Sequence, residues 1–217
     1  MSEILPGVHH VPAADGTFVY LVKDKGAGWT LIDTGLPGSE APIAEYLRKA
    51  KIEPSAIKRI LITHLHRDHT GGLKRMIALT HARTFSHWIE AAYINGEPAY
   101  DGPGMPPVES VAIDETFKDG DVLDAAGGLT AFHTPGHTPG HTVFYQSDRK
   151  TLFCGDLFFG NESKLILTVP EYSHHVPTAT ISARRIGQLA VEAVLPYHGG
   201  VFPKGGGRLL RQLVDTL

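Results

Sequence analysis

The six residues His64-Leu65-His66-Arg67-Asp68-His69 put three imidazoles and a carboxylate into one short stretch. At an extended strand end, residues two apart project to the same side, so His64 and His66 can grip one metal ion. Asp68 and His69 follow, where the chain turns into a helix opened by Thr70-Gly71-Gly72, and can face a second ion. Imidazole nitrogens with a few carboxylate oxygens suit zinc, and also iron, nickel or manganese. A second cluster, His133-Thr134-Pro135-Gly136-His137-Thr138-Pro139-Gly140-His141, contains two Pro-Gly pairs whose rigid turns can hold an imidazole at a fixed angle. His137, between the turns, is the candidate ligand; His133 is assigned to strand structure and His141 to hydrogen bonds that orient a ligand. Two further strand ends finish on chemistry, Thr151-Leu152-Phe153-Cys154-Gly155-Asp156 on a carboxylate and Leu195-Pro196-Tyr197-His198-Gly199-Gly200 on a histidine. Each alone is an ordinary turn. Together, five histidines and two aspartates at four strand ends make a ligand set.

The elements that must hold these groups are short. Residues 17–23 and 29–33 read as a hairpin around Lys25-Gly26-Ala27-Gly28. Ser39 is the expected N-cap of a helix that tolerates Pro42 in its first turn and repeats Ile43, Leu47 and Ala50 at helical spacing. Residues 58–63, apolar and β-branched, suit a buried strand with the first histidine cluster at its C-terminal end. A helix near 87–94 precedes residues 95–110, whose four prolines and three glycines predict a long surface loop, read as a lid. In the second half, 129–133, 142–146 and 151–154 are expected strands, followed by a helix over 181–191 and a strand ending at Tyr197. Gly205 to Gly207 then lead into an amphipathic closing helix carrying Leu209, Leu210, Leu213, Val214 and Leu217. Two strand-rich halves, each followed by helices, predict a sheet-on-sheet core with helices outside, in a single domain over 1–217.

Composition narrows the partners. A chain of 217 residues with 42% hydrophobic and 20% charged residues can bury a sizeable core. Twenty basic against 23 acidic residues, with no block of like charge, argue against a basic nucleic-acid groove or a polybasic membrane patch. No apolar run reaches the roughly 18 residues of a membrane span, and MSEILPGVHHVPAADG lacks a basic segment followed by a long apolar one. One cysteine, Cys154, excludes an internal disulfide and a multi-cysteine zinc site and fits a reducing compartment. A cytoplasmic protein with a small-molecule substrate is expected, with no nucleic acid and no membrane; a homodimer is left open.

The ordered set His64-x-His66-x-Asp68-His69, His137 in TPGHTPGH, Asp156 in CGD and His198 in YHGG resembles the metallo-β-lactamase-fold hydrolase superfamily, including its glyoxalase II-like and lactonase-like branches. The resemblance runs from Asp33-Thr34-Gly35 to His198. It implies an α+β, four-layer αββα sandwich with a two-metal site. His64, His66 and His137 would bind the first ion; Asp68, His69 and His198 would bind the second, with Asp156 bridging. Two divalent metal ions are implied, zinc foremost, with iron or manganese as alternatives. The departures bear on substrate. Family β-lactamases with a cysteine ligand lack Asp at the bridging position, whereas this chain has Asp156, and Cys154 is assigned to strand packing. Glyoxalase II enzymes commonly follow the last histidine with Glu-Tyr, where Gly199-Gly200 stand here. Lactonases often place a tyrosine three residues after the bridging aspartate; that position is Phe159, a substrate-binding candidate without a hydroxyl. Lys164, Tyr172, His174, His175 and the loop around 100–105 are candidates for shaping the pocket.

The chemistry that this set would support follows from charge. Two divalent ions outweigh Asp68, Asp156 and a bridging hydroxide by one formal positive charge, which meets the oxyanion formed from a carbonyl. Ligation lowers the pKa of water towards about 7, so hydroxide is available at neutral pH. The expected enzyme is a dinuclear hydrolase in which the bridging hydroxide attacks an ester, lactone or thioester, with Asp68 orienting or relaying the proton. The competing reading is a mononuclear iron oxidoreductase of the persulfide dioxygenase type on the same fold. Retention of Asp68, His69 and His198 favours the hydrolase.

Overall fold

β-Branched and aromatic runs separated by turns make the first strands. In the computed structural model, which describes residues 2–107 and 109–217, β1 (Ser2–Leu5), β2 (Val8–Pro12), β3 (Phe18–Lys23) and β4 (Trp29–Ile32) pair antiparallel in that order. The expected hairpin is present as β3 and β4. Parallel neighbours need crossovers, and α1 (Glu40–Ala50) makes the first, to β5 (Ile57–Ile62). Two helices, α2 (Arg67–Thr70) and α3 (Leu73–Thr80), lead to β6 (Arg83–His87), and α4 (Trp88–Ile94) to β7 (Glu115–Phe117). In β5 the consecutive residues Ile60, Leu61 and Ile62 are all buried, as expected for a strand covered on both faces. These seven strands belong to one compact unit, formed by residues up to 101 with 105–117 and 124–127.

The second unit comprises 102–104, 118–123 and 128–217. Its sheet pairs β8 (Val122–Leu123), β9 (Leu129–His133), β10 (Thr142–Gln146) and β11 (Thr151–Phe153) antiparallel. A separate hairpin, β12 (Phe158–Asn161) with β13 (Lys164–Leu167), and α5 (Val176–Ile186) precede β14 (Ala193–Leu195), which adds parallel to β11. The chain closes with α6 (Gly206–Val214). Val143, Leu152, Phe158, Ala183, Ile186, Val194 and Leu210 form the core of this unit. Among the described residues, no helix is long and apolar enough to cross a membrane.

Several local expectations are corrected. Ser39 stands at the start of α1 but has helical backbone angles and makes no cap bond; its Oγ accepts from the Ala14 amide at 3.0 Å instead. Ile43 and Leu47 are buried, but Tyr46 completes the inner face and Ala50 is exposed. The helix expected over 181–191 lies at Val176–Ile186, because Pro177 starts it and Gly187 ends it, which leaves Ile181 on the exposed face. Gly206 and Gly207 belong to α6 rather than preceding it: a Cβ on either would press into the backbone of Val194 or Val191.

Candidate metal centre

In the first unit, β5 ends at Ile62, so His64 and His66 lie on an extended loop rather than on the strand itself. They still converge: His64 Nε2 and His66 Nδ1 are 3.1 Å apart. The bend between them is held by Glu90 of α4, a fully buried carboxylate whose Oε2 accepts from the Leu65 amide at 2.6 Å. Asp68 and His69 stand on α2, which begins at Arg67, ahead of Thr70-Gly71-Gly72. The triplet ends α2 and opens α3, with Gly71 and Gly72 at the two caps, and its glycines also let two loops touch. Thr34 N and Oγ1 both donate to the His69 carbonyl at 2.8 Å, and a Cβ on Gly72 would strike the Thr34 carbonyl oxygen.

Asp33, just after β4, sets both outer imidazoles of this half. It adopts φ +61°, a left-handed conformation that Asp tolerates better than most residues. Its Oδ1 accepts from Thr63 N and its Oδ2 from Thr63 Oγ1, each at 2.8 Å. Having given its proton to the carboxylate, Thr63 Oγ1 accepts from His64 Nδ1 at 3.1 Å. His69 Nδ1 donates directly to Asp33 Oδ2 at 2.9 Å. Assigned from this network, both rings carry the proton on Nδ1 and present Nε2 as an acceptor. His69 Nε2 lies 3.5 Å from Asp68 Oδ2, on a side chain that is 15% exposed. The 95–110 loop, expected as a lid, is tied here: Met105 O accepts from Arg67 N at 3.0 Å, and the Tyr100 ring meets His66 edge-on. Burial, reinforced by the Glu90 charge, pushes the Tyr100 phenol above its ordinary range.

In the second unit, one carboxylate faces two imidazoles. Asp156 Oδ2 lies 3.5 Å from His137 Nε2 and 3.4 Å from His198 Nε2. Its backbone amide donates to His141 Nε2 at 3.0 Å, while Thr134 Oγ1 takes the proton of His141 Nδ1 at 2.8 Å, so His141 orients Asp156 as expected. His133 gives its Nε2 proton to the Pro139 carbonyl at 2.9 Å and serves the turn. His137 Nδ1 contacts Thr168 Oγ1 at 2.9 Å. His198 is the most open of the group, 32% exposed, and stacks on Phe159 with the rings 5.3 Å apart and 5° from parallel. Gly160 and Gly199 let β12 meet this loop, since a Cβ on either would enter the other's backbone neighbourhood. Cys154 is fully buried in the core, and burial, with Asp156 nearby, raises its thiol well above the ordinary range. Lys164, Tyr172, His174 and His175 are all exposed.

The donors fit a divalent metal. Zinc–nitrogen bonds of about 2.0–2.1 Å at tetrahedral angles put two ligand atoms roughly 3.3 Å apart. The pairs within each unit stand at 3.1 to 3.5 Å. Asp33, Thr63, Glu90 and Thr168 had no signal as orienting groups in the sequence, apart from Asp33's place in the early strand-turn.

A family model of the metallo-beta-lactamase superfamily matches residues 13–198. The chain belongs to this superfamily. A Bacillus subtilis (strain 168) protein described as the probable metallo-hydrolase YybB is 30% identical over 190 residues, 87% of this chain and 83% of that protein. The human acyl-coenzyme A thioesterase MBLAC2 is 30% identical over 83% of this chain and 72% of its own length. A hydroxyacylglutathione hydrolase from Tolumonas auensis is 29% identical over 88% of this chain, which spans 64% of that enzyme. Among solved structures, a metallo-beta-lactamase HARLDQ-motif mutant from Cronobacter sakazakii aligns over 99% of this chain and 94% of its own, with TM-score 0.78 and 25% identity. The fold is thus the α+β metallo-β-lactamase fold. The protein is a metal-dependent hydrolase of that superfamily.

Proposed function

We propose that His64, His66 and His137 hold one divalent ion, that Asp68, His69 and His198 hold a second, and that Asp156 bridges them. With this ligand set goes a single domain over 1–217. The observation that carries this reading is Asp156 Oδ2, a single oxygen that faces His137 from one ligand set and His198 from the other. Two zinc ions bound there would polarise a carbonyl and make hydroxide available near neutral pH. The chain's own work is orientation and proton handling. Asp33 and Thr63 hold the protons of His64 and His69 on Nδ1. Asp68, the one partly exposed carboxylate of the group, is the residue that passes a proton towards solvent.

The substrate class is an ester, lactone or thioester, with a thioester first. The thioesterase relative supports that order. Gly199, needed for the approach of β12, stands where Glu-Tyr would follow the last histidine of a glyoxalase II, which turns the assignment away from glutathione. Phe159, stacked on His198, offers an apolar ring to an acyl group. The one cysteine, buried as a thiol, supports a cytoplasmic location. The test is a panel of acyl-CoA thioesters, S-acylglutathiones and lactones, run on protein as purified, after chelation and after zinc return. Thioester turnover lost on chelation and restored by zinc is expected; a zinc-loaded protein that cleaves none of the three classes would overturn the reading.

A further inference from the structure

In His137, the ring nitrogen that does not face Asp156 meets hydroxyl groups. Its Nδ1 meets Thr168 Oγ1 at 2.9 Å and, more distantly, Ser173 Oγ at 3.4 Å. Those hydroxyls contact each other at 2.9 Å, and Ser173 Oγ donates to the Val169 carbonyl at 2.7 Å. Both are buried, Thr168 at 3% and Ser173 at 7% exposure.

The direction of every proton follows from the far end. A carbonyl oxygen only accepts, so Ser173 spends its single proton on Val169. Ser173 Oγ must then accept from Thr168, and Thr168, its proton spent, must accept from His137. His137 therefore carries its proton on Nδ1 and turns Nε2 towards Asp156 Oδ2. The same segment also clamps the backbone: His174 N donates to the His137 carbonyl at 2.9 Å and His175 N to the Gly136 carbonyl at 2.8 Å.

We infer that Thr168 and Ser173 are positioning residues, a two-hydroxyl relay anchored on the Val169 carbonyl that fixes the protonated nitrogen of His137 and so prepares Nε2 as a metal ligand. The inference rests on the dinuclear reading for the identity of the ligand, but the relay makes a claim of its own about one proton. Outer partners of ligating histidines govern metal affinity by about 10–100-fold. Thr168→Val removes the acceptor, and Ser173→Ala removes the sink for the Thr168 proton, which then competes for His137 Nδ1. Thr168→Ser keeps the hydroxyl and should restore the wild-type behaviour.

The experiment combines imidazole nitrogen NMR with zinc affinity by chelator competition, on protein as purified and after zinc loading. The expected result is a His137 proton on Nδ1, exchanging slowly in the wild type and Thr168→Ser and rapidly in Thr168→Val and Ser173→Ala, with zinc affinity about 10–100-fold lower in those two. A wild-type His137 with its proton on Nε2 overturns the relay without need of any variant. So does zinc binding as tight as wild type, with unchanged proton exchange, in Thr168→Val and Ser173→Ala. Wild-type protein that takes up no zinc defeats the dinuclear reading instead, while the Nδ1 proton still decides the relay.

Discussion

The first unit anchors its imidazoles on a charge and the second on a neutral dipole. Asp33, 1% exposed, receives His69 directly and His64 through Thr63, so one carboxylate serves two rings. His137 has a chain of two hydroxyls that ends on the Val169 carbonyl. Hydrogen bonds to an ionised group are about twice as strong as neutral ones. A neighbouring carboxylate also raises the basicity of an imidazole, which a carbonyl does only weakly. The difference teaches that ligands of like type can be prepared to different degrees: His64 and His69 by electrostatics and loop packing, His137 by proton direction and a clamped backbone.

The largest effect is expected where the proposed ligand sets share an atom. Asp156→Ala removes the carboxylate facing His137 and His198 and should lower metal content by at least one ion per chain, read by elemental analysis; unchanged content would mean that the carboxylate is no bridge. Asp33→Asn comes next, because it keeps the size of the side chain and converts a charged anchor into a neutral one. It should weaken metal affinity by about 10–100-fold and lower unfolding free energy by about 2 kcal/mol, measured by chelator competition and urea denaturation. If Asp33→Asn costs less affinity than Thr168→Val, the contrast between charged and neutral anchors is broken.

How much of this was legible depended on whether a residue's role is carried by its neighbours in sequence. The HLHRDH stretch, TPGHTPGH, CGD and YHGG announce themselves because each packs metal-binding types into a few positions, and the structure brings members of these clusters together within each unit. Asp33, Glu90, Thr168 and Ser173 act on residues far along the chain, from Glu90 to Leu65 and from Thr168 to His137, and nothing local marks a buried acid or hydroxyl for such work. The fold shows the same division. Hairpins and short apolar strands are readable; the helix expected over 181–191 lies at 176–186, where Pro177 starts it and Gly187 ends it, and Ile181 faces solvent. Gly71 and Gly72 open α3 as their position suggests, but their need for hydrogen side chains comes from the approach of Pro37 and Thr34, a contact no spacing rule contains.

Smaller effects sharpen the boundary between ligand and packing. Cys154→Ser places a hydroxyl among Val143, Leu152 and Val194 and should destabilise the fold by about 1–3 kcal/mol while leaving metal content unchanged; a loss of metal comparable to Asp156→Ala would move the strand-end thiol into the centre. The smallest effect concerns His10, stacked on Phe18 with ring centroids 4.1 Å apart, where burial pushes the imidazole down to about 4. Between about pH 6.5 and 4 the unfolded chain binds this proton and the folded chain does not, so the stability due to neutral His10 is whole above that window and is lost as pH falls through it. In metal-free protein, the urea midpoint of the wild type should therefore fall more between pH 7 and pH 5 than that of His10→Phe; equal falls would remove His10 from the account.

The central claim is that the proposed ligand set holds two ions, and its most direct measurement is the number of zinc ions per chain after reconstitution with excess metal and removal of the unbound fraction. Close to two is predicted, because seven residues of suitable type are assigned to two positions with one shared carboxylate. One ion or fewer would contradict the dinuclear centre, however well each half is oriented.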